Sequence, residues 1–148
     1  MSAADPMNSL VTDWCRKFGL DADEHREGKL FVFGLPDGSM IMMSLDEEEL
    51  TVFAEVGSAP QGDPEFLEEL LEANLFWTET DGCTLALDRT SRAVVLSRSL
   101  GPSSLADFER AVDAFIVTAA EWRETLTRLT AGDDAATGRV DRDRALFA

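Results

Sequence analysis

A chain of 148 residues with 29 acidic and 13 basic side chains carries a formal net charge of −16 at pH 7, and its 45% apolar content is that of a folded globule. The length suffices for one domain with its own core, without disulfides or metal. The sign of the charge excludes nucleic acid and anionic membranes, which draw affinity from Lys and Arg, and leaves neutral, basic or hydrophobic polypeptides as partners.

The first periodic segment opens at Asp5-Pro6, an N-cap acid before proline, and stops at Gly19. Met7, Leu10, Val11, Trp14 and Phe18 recur at helical steps, which makes it an amphipathic helix. From Leu30 the period changes to two. Leu30–Gly34, a Pro36-Asp37-Gly38 turn, Ser39–Met43, a second turn through Asp46–Glu49, and Leu50–Val56 read as a three-stranded antiparallel meander. The first two strands are apolar on both faces: Leu30 and Val32 oppose Phe31 and Phe33, and Met40 and Met42 oppose Ile41 and Met43. One face needs the domain's helices, and the other needs a second cover or a ligand.

Asp63-Pro64 announces a second helix over Glu65–Asn74, with Phe66, Leu67, Leu70 and Leu71 apolar and four glutamates outward. Asp81-Gly82, Cys83–Asp88 and Arg92–Arg98 then read as a second hairpin. After Gly101-Pro102, Ser103 or Ser104 caps a long helix reaching about Thr130, striped by Leu105, Phe108, Val112, Phe115, Ala119, Trp122, Leu126 and Leu129. Residues 1–130 are expected to be one α+β domain in the order helix-β-β-β-helix-β-β-helix, an antiparallel sheet packed by helices. Residues 131–148, rich in Gly, Asp and Arg, are expected to form a flexible tail.

Chemistry leaves few marks. His25 is the only histidine, and neither a Gly-x-Ser-x-Gly elbow nor a phosphate-binding glycine loop is present. Cys15 and Cys83 lie in apolar-periodic stretches without a CxxC and read as buried thiols of a reducing cytosol. Asp21-Ala-Asp-Glu-His25 is the sharpest metal-like string. It fails the calcium-loop test, because Arg26 and Val32 stand where glycine and an acid are required. No catalytic residue, metal or cofactor is implied. The start of the chain has no basic-then-apolar leader and no apolar run approaches about 20 residues, so a soluble cytoplasmic protein is expected. Methionines at 40, 42 and 43 suit either a surface for varied partners or core filling.

Three phrases in fixed order carry more information: Leu70-Leu-Glu-Ala-Asn-Leu-Phe-Trp77, then Thr84-Leu-Ala-Leu-Asp88, then Val94-Val-Leu-Ser-Arg98. Phe115 and Ala119-Ala-Glu-Trp-Arg123 follow in the last helix. Together with the element order these resemble the class I chaperones of bacterial type III secretion, the Tir-chaperone (CesT-like) family, over about Met7 to Thr130. The departure is Cys83, where the family usually has a small residue.

The resemblance implies a homodimer that binds the N-terminal segment of a secreted effector in partly extended form, without ATP, and keeps it soluble and export-competent. It points to Leu10, Val11, Trp14, Phe31, Phe33, Met40 and Met42 for the effector and to Leu71, Leu75, Phe76, Trp77, Leu85 and Leu87 for the dimer contact. Trp14 and either face of the hairpin can instead be plain core, and at least half of the six dimer-contact residues are expected to be intramolecular core. The alternative in the same fold is a regulatory protein that sequesters a cytosolic transcription regulator or anti-activator. A second rival is a small enzyme using Asp21, Asp23 and His25.

Overall fold

The computed structural model describes residues 6–132. The Asp5 cap and tail residues 133–148 lie outside the described residues. Helix α1 (Pro6–Lys17) turns Met7, Leu10, Val11, Trp14 and Cys15 into the core. Gly19, at φ 70°, supplies the left-handed residue that ends it, and the Leu20 amide returns to the Cys15 carbonyl at 2.9 Å. A short 3-10 turn over Ala22–His25 follows, capped by the Asp21 carboxylate, which accepts from the Asp23 amide.

Six strands form one antiparallel sheet: β1 (Arg26–Glu27), β2 (Leu30–Gly34), β3 (Met40–Leu45), β4 (Leu50–Ser58), β5 (Thr84–Leu87) and β6 (Ala93–Leu100), in the spatial order β1-β2-β3-β4-β6-β5. The expected meander and second hairpin are therefore halves of one sheet, joined by the long β4–β6 ladder from Leu50↔Leu100 to Ser58↔Ala93. The two-residue β1 was not legible in the sequence; it is a stub folded back on β2 through Arg26↔Phe31.

Helix α2 (Pro64–Ala73) starts at Asp63, whose Oδ1 accepts from the Phe66 amide at 3.1 Å, and packs beside β5. Helix α3 (Leu105–Gly132) begins at Ser104, whose Oγ accepts from the Asp107 amide, and lies over β4. Its apolar stripe, Phe108 to Leu129, is buried along the length of the helix. Gly57 marks the closest approach: a Cβ there would meet Leu126 Cδ1 at 3.1 Å.

The helices decide which sheet face is inside. Phe31, Phe33, Ile41, Met43, Val52 and Leu96 are buried on one face, each large side chain worth about 1.5–3 kcal/mol removed from water. Leu30, Val32, Met42, Phe53 and Val95 alternate onto the other face, where they are half-buried, and Met40 there is exposed.

Candidate functional site: two apolar surfaces on an acidic body

Where α1, the β2–β3 turn and α3 meet, the helix-covered side of the sheet does not close. Trp14, Phe33, Leu35, Pro36 and Ile116 line an apolar groove of about 500 Å³. Its aromatic wall is ordered by edge contacts, Trp14 to Phe33 at 5.1 Å and Trp14 to Phe18 at 5.3 Å between ring centroids. Phe18 and Leu20, just past the end of α1, also line it and are 61% and 38% exposed. Trp14 is buried, and its Nε1 has no hydrogen-bond partner among the described residues.

Asp37 and Asp113 complete the groove lining. Asp37 sits in the β2–β3 turn, where its Oδ1 accepts from the Ser39 hydroxyl and from the Ser39 amide. These bonds hold its carboxyl below its ordinary value, so the groove carries a negative charge at neutral pH.

A second cavity, of about 460 Å³, lies on the other side of the same turn and is lined by Ser39, Met40, Met42, Glu55, Gly57 and Arg123, among others. Its origin is a fork in the sheet. The β3–β4 ladder stops at Met42↔Phe53, and the next rungs of the same register, Ile41 with Ala54 and Met40 with Glu55, are not formed. Instead β4 bulges between Glu55 and Gly57, and Arg123 Nε from α3 donates to the Glu55 carbonyl at 3.2 Å.

The seven residues expected to face an effector are thus divided. Trp14 and Phe33 line the groove, Met40 and Met42 line the fork, and Leu10, Val11 and Phe31 are at most 8% exposed within the core. Phe18 and Leu20 join the groove although neither was singled out. Phe18 ends the apolar stripe of α1, but nothing in the sequence says that the stripe outruns the sheet it packs on.

The second surface is convex. Leu71 on α2 and Leu75, Phe76 and Trp77 in the following 3-10 turn are 71%, 58%, 80% and 54% exposed. Phe76 and Trp77 both sit in the left-handed region, at φ 58° and 56°, a conformation costing a bulky residue about 1 kcal/mol or more. The segment is nevertheless pinned at both ends. Asn74 Nδ2 donates to the Leu85 carbonyl at 2.9 Å, and the Leu85 amide donates to Asn74 Oδ1 at 2.8 Å, so an amide side chain reads edge strand β5 as a neighbouring strand would. The buried Thr80 hydroxyl donates to the Cys83 carbonyl, and the Gly82 amide closes back on Trp77. Of the six residues expected at a dimer contact, four form this patch, Leu85 is core and Leu87 is partly buried, so fewer than the expected half are core, because the turn after α2 projects its side chains away from the sheet.

The remaining candidates are used locally. Asp21 is engaged as a cap, and His25 Nδ1 lies 3.3 Å from the Val32 carbonyl with its ring against Phe33. Among the described residues, no three His, Cys, Asp or Glu side chains come together as a metal site, and no helix is long and apolar enough to cross a membrane. Burial, with the charge of Asp21 adding to it, pushes the Cys15 thiol up to about 11, and burial also raises that of Cys83; both are held as neutral thiols.

Solved structures share this architecture. A chain of the ExsC–ExsE complex superposes with a TM-score of 0.66 and 18% identity over 84% of this chain and 96% of that one. A chain of the heterodimeric ExoU–SpcU complex from the type III secretion system of Pseudomonas aeruginosa gives 0.62 and 17% over 77% and 95%. The Yersinia pestis structure of the type III secretion chaperone SycH with a stable fragment of YscM2 gives 0.58 and 20% over 77% and 97%. At these identities the likeness is one of fold. No curated protein sequence matches the chain at a significant level. The family model of the Tir chaperone proteins matches residues 10–123, a span that contains both apolar surfaces, and the chain belongs to the Tir chaperone protein (CesT) family.

Proposed function

We propose that this protein is a cytoplasmic type III secretion chaperone that acts as a homodimer, without ATP, to hold the N-terminal segment of a secreted effector soluble and competent for export. The observation that carries the reading is the open apolar groove on a body of charge −16. An extended segment can seat its apolar side chains there and in the fork beside Met40 and Met42, while the charged shell keeps a protein with exposed apolar patches in solution. Family membership and a fold shared with chains from chaperone–effector complexes support the same reading.

Within this reading Trp14, Phe18 and Phe33 contact the client directly, and Leu10, Val11 and Phe31 support them from behind. Leu71, Leu75, Phe76 and Trp77 form the protomer contact, and burying two adjacent exposed aromatics against a symmetry mate gives it its energetic centre.

Co-purification from the native host, followed by identification of the bound chain, tests the proposal. The expected result is a secreted protein bound through its N-terminal segment and lost on Phe18→Asp, a change at an exposed site that leaves circular dichroism native. A transcription regulator in its place would assign the sequestering role. A folded protein that captures no secreted chain would overturn the proposal.

A further inference from the structure

The groove is apolar in its walls and anionic in its charge. Among the described residues its ionisable lining consists of Asp37, from the β2–β3 turn, and Asp113, from α3, and both are exposed. Among the described residues neither has an ion-pair partner, although cations are close by in the sequence of both helices. Lys17 at the end of α1 is drawn to Glu109 on α3, at 2.6 Å, and Arg110 is drawn to Asp107. Arg123 influences Asp37 only weakly and is committed to the Glu55 carbonyl. Two carboxylates from different elements, neither in an ion pair among the described residues, therefore border a cavity large enough for a bulky aliphatic or aromatic side chain. Phe18, which also lines the groove against Trp14, is 61% exposed and free to contact an occupant.

Resting on the chaperone reading above, we infer that this groove selects a segment in which a large apolar anchor is immediately flanked by Arg or Lys. The anchor displaces water from Trp14, Phe33 and Ile116, and the flanking cations meet Asp37 and Asp113. An apolar anchor flanked by acids suffers repulsion from the same two groups and from a body that is negative overall. The selection is thus made by charge around a permissive hydrophobic pocket, which alone distinguishes poorly between apolar side chains.

Three fluorescein-labelled twelve-residue peptides provide the test, identical except for a core of Ile-Arg-Leu-Arg-Val, Ile-Gln-Leu-Gln-Val or Ile-Glu-Leu-Glu-Val, with binding to the intact chain read by anisotropy. The expected order is Arg, then Gln, then Glu. Each carboxylate contributes roughly threefold and the two together about tenfold at low ionic strength, with the spread narrowing as salt shortens the Debye length to ~8 Å at about 0.15 M. The double variant Asp37→Asn, Asp113→Asn should largely flatten the order, and Asp113→Lys, which sets one cation against the remaining carboxylate, should narrow it. Phe18→Ser should weaken all three alike. Equal binding of the Arg and Gln peptides, a spread undiminished in the double variant, or no binding of any of the three would overturn the inference. Capture of a secreted partner by the wild-type chain would in each case leave the chaperone reading standing, whereas its failure in the folded wild-type chain would remove both.

Discussion

The groove and the aromatic patch are both apolar and both open to solvent, yet they are built in opposite ways. The groove is a gap between rigid elements. Trp14 and Phe33 are 5% and 2% exposed, so its walls are already paid for by core packing and stand without a ligand. The patch projects outward from consecutive left-handed residues, and its side chains touch little of their own protomer. A preformed concavity can take and release a client at modest cost. A convex, strained patch gains contacts only when a surface of matching shape covers it.

Breaking this contrast begins with the patch. Replacing Phe76 and Trp77 together by serine should shift the protein from twice the chain mass to one chain mass at micromolar concentration in light scattering. Truncating two aromatic anchors costs an interface about 2 kcal/mol or more each. Thermal unfolding of the protomer should be unaffected by lost packing, because these rings are largely exposed. A dimer that persists would move the contact elsewhere.

Asn74→Ala is the next largest effect. It deprives both backbone groups of Leu85 of their partners and should lower stability in urea by about 1–3 kcal/mol. It should also weaken dimerisation by loosening the Leu75–Trp77 turn, while client affinity at the groove stays unchanged. A client affinity that falls in step would show the two surfaces to be coupled.

The smallest effect concerns the turn between groove and fork. Ser39→Ala removes the hydroxyl bond to Asp37 and leaves the amide bond, so the Asp37 titration seen by NMR should move part of the way back toward 3.8. The sign follows from linkage. A carboxyl more acidic in the folded state than in the unfolded chain adds stability above its ordinary value and loses that contribution as the pH falls through the depressed one. An unchanged titration would mean that the amide alone holds the carboxylate.

Element order, the capping residues Asp63 and Ser104, and the period-two meander were legible because they rest on contacts between near neighbours in the chain. The aromatic patch was legible through a family phrase, Leu70 to Trp77, although the phrase does not say that Asn74 is its anchor on β5. The lining of the groove beside the first helix and hairpin was only half legible. Leu10, Val11 and Phe31 satisfy the same periodicity as Trp14 and Phe33, and nothing local separates a residue lining a gap from one filling the core.

The sequence by itself determined that this chain is an acidic α+β domain with more apolar surface in its first hairpin than one helix layer can cover, because charge, periodicity and turn chemistry act over a few residues. Tertiary structure alone decided which hairpin face is buried, where the sheet forks at Met42 and Phe53, and that Asp37 and Asp113 border one groove. Those outcomes depend on the seating of α3 across β4 at Gly57 and on the β4–β6 ladder, contacts between residues tens of positions apart that leave no local periodic trace.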